Sequence, residues 1–382
     1  MTFSPQKNTS IIKYEAFDHI KFWVGNAKQA ASFYCTRLGF EPYAYKGLET
    51  GSRSIVSHVV RNNDAIFCFE SALLPNNHEM GEFLSLHGDG VRDISFTVDD
   101  AKLCYEIAVS KGATPVSKPH VEADENGKVV LATISLYNGT NHTFIERKDY
   151  KGTFLPGYKL FDADPLLKSL ESIEINYVDH CVSNQPADQM NAVCEKYENI
   201  LDFHRFWSVD DKDIHTEYSS LRSVVMADSI EKIKLPINEP AEGIRKSQIE
   251  EFVEYYGGPG IQHIALNTDN IIETVEKLTR RGADFLATPK SYYDNLRIRL
   301  KNQAGSLKFQ VKESIDDLER LNILIDYDEN GYLLQIFTKP LQDRPTLFVE
   351  FIQRRNHNGF GAGNFKSLFE SIEREQSIRG NL

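Results

Sequence analysis

The chain has 382 residues, of which 41% are hydrophobic and 26% charged, and its acidic excess gives a formal net charge of -12. This composition suits a globular protein of two or three domains and excludes a collagen-like, disulfide-scaffolded or wholly disordered chain. The acidic balance, with no local basic stripe, argues against a nucleic-acid partner. No apolar run reaches the roughly 18 residues a membrane-spanning helix needs.

The first segment, MTFSPQKNTSIIKYEAF, lacks the basic start and apolar middle of a secretory signal. Five scattered cysteines (Cys35, Cys68, Cys104, Cys181, Cys194) without a CxxC pair read as reduced thiols of a cytoplasmic protein, most in small core positions. From residue 16 the chain begins to repeat. AFDHIKFWVGNAKQAASFYCTRLGFEPYAY (16–45) parallels YVDHCVSNQPADQMNAVCEKYENILDFHRFW (177–207). Each opens with an apolar strand bearing an Asp-His pair, then runs through a polar turn and a helical stretch into a second strand. Ala27, Ala30, Ala31, Tyr34 and Leu38 recur at helical spacing before the C-capping Gly39, and Ala187, Met190, Val193 and Tyr197 do the same in the second copy.

A second pair of copies lies at 88–116 and 258–286, each reading glycine turn, short strand, Asp as N-cap, amphipathic helix, Gly, strand. Runs such as SIVSHVV (54–60), AIFCFES (65–71) and SLRSVVMAD (220–228) alternate as antiparallel strands. Such self-similarity indicates duplication of a strand–helix–three-strand unit, present four times. One open unit cannot cover its sheet, whereas two pair into a half-open barrel with helices outside. The expected fold is α+β, two domains of paired βαβββ units: an N-terminal domain over 1–154, a proline-bearing linker over 155–170, and a C-terminal domain over 171–382. The last domain closes with a helix at 364–376, N-capped by Asn364, whose Phe365, Leu368, Phe369 and Ile372 form one apolar stripe. The GFGAG before it is a hinge for a lid.

His180, His263 and Glu350 lie in apolar strands of the second half, where ionisable groups are costly to bury unless paired or bound to metal. Two imidazoles and a carboxylate form the facial triad of non-haem ferrous iron; zinc draws on the same residue types. A lone strand histidine is more often a satisfied core residue, and it is the equivalence of the two places that points to metal. In the first half the repeat puts His19, Asp93 and Glu146 at the corresponding places and Arg92 where Gln262 stands. Arg92 would pair with Asp93, leaving no functional metal site there. Strand alternation puts Phe348, Glu350 and Ile352 on one face, and Leu333, Gln335 and Phe337 on one face, a mixture suited to an aromatic acid. Gln262, beside His263, points the other way unless a bulge near Gly260 or a role behind the histidine resolves it.

The repeated units with these three residues resemble the vicinal oxygen chelate superfamily. INEP (237–240), KSQIEEF (246–252), GGPGIQHIAL (257–266), YDENGYLLQIFTKPLQDRPTLFVEFIQR (327–354) and GFGAGNFKSLFESIEREQ (359–376) resemble the 4-hydroxyphenylpyruvate dioxygenase family, over essentially the whole chain. The resemblance implies His180, His263 and Glu350 as ligands of one Fe(2+) per subunit. It implies Ser223, Asn238, Gln248, Gln262, Gln335 and Asn364 as polar contacts to substrate, and Phe337, Phe348, Phe360 and Phe365 as aromatic walls. The implied reaction takes 4-hydroxyphenylpyruvate and dioxygen to homogentisate and carbon dioxide by oxidative decarboxylation, ring hydroxylation and side-chain migration, in tyrosine catabolism. The implied assembly is a homodimer. A rival, hydroxymandelate synthase, resembles this pattern with a smaller aliphatic residue where Phe337 stands. A non-enzymatic binding member of the superfamily would not need all three ligands.

Overall fold

The computed structural model describes residues 12–137, 139–161, 164–209, 220–303 and 305–381, without the side chains of Val209, Phe365 and Lys366. The first half runs β1 (Tyr14–Trp23), α1 (Ala27–Leu38), β2 (Glu41–Lys46), β3 (Ile55–Asn62), β4 (Ala65–Ala72) and α2 (His78–His87). Its second unit is β5 (Gly90–Val98), α3 (Ala101–Ser110), β6 (Thr114–Asp124), β7 (Gly127–Tyr137) and β8 (Thr140–Glu146), followed by the two-residue β9 (Lys159–Leu160). The second half begins β10 (Val178–Asn184), α4 (Met190–Leu201), β11 (His204–Val209), β12 (Ser220–Ala227), β13 (Lys234–Ala241) and α5 (Gln248–Tyr256). It ends with β14 (Gly260–Asn267), α6 (Ile271–Arg280), α7 (Lys290–Gln303), α8 (Ile315–Arg320), β15 (Leu324–Tyr327), β16 (Tyr332–Phe337), β17 (Phe348–Arg355) and α9 (Phe365–Arg379).

The strands form two sheets, β6-β7-β8-β5-β1-β4-β3-β2-β9 and β11-β12-β13-β10-β14-β17-β16-β15. Both have one plan. A central antiparallel pair, β1 with β5 or β10 with β14, has a parallel neighbour on each outer side. Each unit thus sends its first strand to the centre and returns its last beside it. This is the α+β architecture of paired units that the repeat predicts.

Local chemistry sets the helix ends. Asn26, Asp100 and Asn270 each accept a backbone N–H of the first turn of α1, α3 and α6, so equivalent helices start on equivalent side-chain caps. α1 stops at Gly39, whose φ of 81° is left-handed, and an added Cβ there would strike Ile173. α4 starts at Met190 without a side-chain cap, so Ala187 precedes the helix the sequence assigned it to. The strand expected after α6 reduces to one bridge, Phe285 to Thr338, and α7 and α8 occupy the following stretch. Helices cover the outer face of the second sheet: Ile264, Leu266, Val349 and Phe351 share a buried cluster with Ile271, Val275 and Leu278 of α6. The inner face mixes polar and aromatic side chains with a small apolar cluster of Ala265, Leu333 and Ile352.

The register corrects the internal alignment. His19 lies opposite Ser95, and Ser95 opposite Thr143; in the second sheet His180 lies opposite Ala265, and Ala265 opposite Glu350. Thr143, not Glu146, therefore stands where Glu350 stands. Glu146 is the counterpart of Gln353: it accepts the N–H of Ala101 at the start of α3, as Gln353 accepts that of Ile271 at the start of α6. The true match is FIER (144–147) with FIQR (351–354), three residues beyond the alignment on the shared Phe-x-Glu string. Among the described residues no helix is long and apolar enough to cross a membrane.

Candidate metal centre

His180, His263 and Glu350 come from the adjacent strands β10, β14 and β17. His180 and Glu350 flank Ala265, and His263 stands two residues before Ala265 on the same face. The methyl group at 265 is the smallest side chain that keeps a Cβ, and it leaves the space between its neighbours open. The Nε2 atoms of His180 and His263 each lie 3.3 Å from Oε2 of Glu350. All three residues are buried, at 3%, 7% and 3% exposure. Among the described residues this is the group of three whose donor atoms converge, all within 4.8 Å of one another.

Both imidazoles are held from behind. The β10–β14 pairing shifts register between Val178 and His180, and again where Val182 faces His263 and Ser183 faces Ile261. Asp179 and Gln262 are the extra residues of these two bulges, which lets each turn back toward the histidine that follows it. His180 Nδ1 donates to Asp179 Oδ1 at 2.8 Å, and His263 Nδ1 donates to Gln262 Oε1 at 3.0 Å. With Nδ1 protonated, each Nε2 presents its lone pair to the centre, which is the tautomer a metal takes. Gln262 also donates to Gln248 Oε1 at 3.4 Å. Both devices offered for Gln262 from sequence are thus present, with the bulge at Gln262 itself.

Electrostatics separate the two imidazoles. Burial works against the charged form of His180, but the carboxylates of Glu350 and Asp179 outweigh it and raise its pKa. His263 has no carboxylate behind it, and burial lowers its pKa. Burial pushes the Glu350 carboxyl up, yet the two histidines hold it below its ordinary value. An ionised carboxylate facing two imidazole lone pairs, with no lysine or arginine in the cluster, is a donor set that a divalent cation fits.

The equivalent place in the first sheet is stitched shut. Asp93 accepts from Ser95 Oγ at 2.6 Å and from Thr143 Oγ1 at 2.7 Å, while Ser95 Oγ lies 3.4 Å from His19 Nε2. Arg92 does not pair with Asp93, contrary to the expectation from sequence. As the extra residue of its own bulge it turns away, over the Trp23 ring at 4.6 Å and to Glu79 at 3.3 Å.

Three of the four aromatic residues expected at the site, Phe337, Phe348 and Phe360, gather round the histidines. Phe348 stacks on His263 at 4.8 Å and 18°, Phe337 meets the same ring edge-on at 6.0 Å, and Phe360 meets His180 edge-on at 5.1 Å. Phe206 and Trp207 of β11 extend the Phe360 wall, with ring centroids 6.1 and 5.9 Å away. Sequence reasoning missed both, although the Phe-Trp pair ends the repeated string at 177–207. Gln335 pairs with Ile352, two positions from the Phe337–Glu350 pair, and its Oε1 is buried without a hydrogen-bond partner among the described residues. Gly361, with φ of 78°, passes so close to Gln335 that an added Cβ would collide with the amide. Ser223 lies opposite Asn238, whose amide donates to Asn184 at 3.4 Å. Gln248 is buried at the first position of α5 rather than solvated.

Asn364 departs from expectation. It makes no side-chain cap on α9; it is fully buried, accepts from Tyr292 Oη at 2.7 Å, and leaves Nδ2 unpaired. A 3-10 turn over Ala362–Asn364 precedes the helix and leads the chain in at helical angles, so the capping geometry never forms. α9 begins at Phe365, whose side chain lies outside the described residues, and runs to Arg379.

A fold of paired βαβββ units with a buried cluster of converging donors defines a class, and the chain matches the Glyoxalase/Bleomycin resistance protein/Dioxygenase superfamily over residues 16–135 and 177–336. It is 58% identical over 373 residues to the 4-hydroxyphenylpyruvate dioxygenase of Danio rerio, covering 97% of this chain and 93% of that one. With that of Dictyostelium discoideum it shares 56% over 370 residues, covering 96% and 100%. A solved structure of a triple mutant of 4-hydroxymandelate synthase from Streptomyces coelicolor superposes with a TM-score of 0.81 at 30% identity, covering 95% of this chain and 99% of that one. A xylose isomerase-like TIM barrel/4-hydroxyphenylpyruvate dioxygenase fusion protein, 20% identical, is alike in fold, with a TM-score of 0.70 over 98% of this chain and 54% of that one. The chain belongs to the 4-hydroxyphenylpyruvate dioxygenase family.

Proposed function

We propose that the protein converts 4-hydroxyphenylpyruvate and dioxygen to homogentisate and carbon dioxide, using Fe(2+) held by His180, His263 and Glu350. The observation that carries this reading is the convergence of those three donors, each histidine with Nδ1 bonded to an acceptor behind it and Nε2 turned to the centre. Ferrous iron supplies the redox chemistry when bound, and three protein ligands leave it room for a 2-oxo acid and dioxygen. Glu350 and the substrate carboxylate balance the ion's two charges, and this neutrality matters in a buried site.

The protein's own part is to hold the substrate and exclude water. Phe337, Phe348 and Phe360 enclose the aromatic ring. Gln335 Oε1 and Asn364 Nδ2 are a buried acceptor and a buried donor without partners. Each such group costs about 1–3 kcal/mol if left unpaired, so a polar substrate gains by meeting them. Ser223, Asn238, Gln248 and Gln262 complete the polar side, with Gln262 also fixing His263. On this reading residues 1–154 are a structural domain without a functional metal site, 155–170 connect it to the catalytic domain at 171–382, and the enzyme works as a cytoplasmic homodimer.

Anaerobic loading with ferrous iron, followed by addition of 4-hydroxyphenylpyruvate and oxygen, should yield homogentisate from the wild type and none from His263→Ala. Release of 4-hydroxymandelate instead would assign the protein to the synthase reaction. An inert iron-loaded wild type would make it a binding protein.

A further inference from the structure

We propose that Arg354 is a positioning residue: it sets the imidazole of His180 before any ion arrives and ties it to the loop that carries Phe360. The inference rests on the ligand set proposed above. Arg354 Nε and Nη2 grip the two oxygens of Asp179 at 2.8 and 2.7 Å, and Asp179 in turn accepts a hydrogen bond from His180 Nδ1. A fork of this kind fixes the carboxylate in angle as well as place. The remaining nitrogen, Nη1, donates to the carbonyls of His357 and Gly359 at 3.1 and 2.7 Å. The guanidinium lies 5.5 Å from the centre of the Phe360 ring, which itself stands edge-on to His180. One half-buried cation therefore orients a ligand, its anchor and the wall beside it.

The first half of the molecule contains the same assembly without the donor set. Arg147 grips both oxygens of Asp18 at 2.7 Å, and Asp18 accepts from His19 Nδ1 at 2.8 Å. Arg147 Nη1 donates to the carbonyl of Phe154 at 2.6 Å, and the Phe154 ring stands edge-on to His19 at 4.9 Å and 73°. In the second half the corresponding ring contact is 5.1 Å and 74°. Because Thr143 replaces the carboxylate in the first half, the clamp does not depend on a metal for its geometry. It is a property of the unit, and the second half uses it to present a ligand already aimed.

The pair of clamps supplies its own control. Apo protein is titrated with cobalt(II), a spectroscopic stand-in for ferrous iron, and melted in parallel. Arg354→Gln should weaken cobalt binding about ten- to a hundredfold, as loss of a ligand's outer support does elsewhere. Arg147→Gln should lower the melting temperature of the apo protein as Arg354→Gln does, yet leave cobalt affinity unchanged. Wild-type affinity in Arg354→Gln, or equal weakening in Arg147→Gln, would overturn the positioning role. If Arg354→Gln fails to fold, Arg354→Lys, which keeps the charge but not the fork, is read against the same two outcomes. A wild type that does not bind cobalt would instead refute the ligand set itself.

Discussion

Asp18 and Asp179 are buried carboxylates whose value to the fold depends on the arginine facing each. Burial alone would raise the Asp18 carboxyl; the Arg147 guanidinium overcomes this and holds it well below the ordinary range. A depressed carboxyl contributes stability in full above its unfolded value, near pH 4, and loses that contribution as pH falls through the folded value. Asp18→Asn should therefore be about 3 kcal/mol less stable than wild type near neutral pH, the cost of breaking a buried pair, and the gap should narrow below pH 4. Melting curves across that range test it, and a gap independent of pH would contradict the assignment. At this scale the three donors were legible, because apolar strands rarely bury two histidines and a glutamate unless those groups are paired or hold a metal. The anchoring residues were legible only as neighbours. Strict alternation put Gln262 on the face opposite His263, and the bulge offered to resolve this falls at Gln262 itself; Asp179 was read only as half of an Asp-His pair, because a one-residue bulge leaves no mark in composition.

The C-terminal helix shows how an element can be read correctly on one face and wrongly at its start. The apolar stripe of Leu368, Phe369 and Ile372 is buried, with Phe369 against Leu221 and Ile249. The capping role assigned to Asn364 failed because its partner, Tyr292, lies 72 residues away on α7. No local pattern announces such a contact. The far end of α9 is pinned by Arg379, which contacts both oxygens of the buried Glu251 at 2.8 and 3.0 Å. Glu251 belongs to α5, the helix that presents Gln248 to Gln262. Arg379→Gln would leave Glu251 in the interior with Asn381 as its remaining partner, a loss of up to about 3 kcal/mol. Hydrogen exchange should then show α9 and α5 losing protection while β10, β14 and β17 keep theirs, together with reduced turnover. Unchanged protection in α9 would mean that its apolar face alone holds it.

Across the whole molecule the duplication was legible because the copies keep their strings: Asp-His at the first strand of each half, glycine and an N-cap about the fifth. What strings could not fix was register, since Phe-x-Glu occurs in both halves at inequivalent steps of the last strand. With the register known, the first half becomes a design target. Beside His19, the changes Asp93→His, Ser95→Ala and Thr143→Glu would reproduce there the proposed donor set and the small residue between its members. Cobalt stoichiometry should rise from one to two per chain. The new site should be weaker by about ten- to a hundredfold, because Arg92 cannot support the introduced histidine as Gln262 supports His263. A stoichiometry that stays at one would show that the two barrels differ in more than those side chains. The three natural donors have a further consequence through their wide separation in sequence. They become neighbours only when β10, β14 and β17 lie edge to edge, so a chain that ends before Glu350 cannot assemble the trap. Until its last strand is in place, a nascent polypeptide would thus hold a divalent cation no better than any loose peptide.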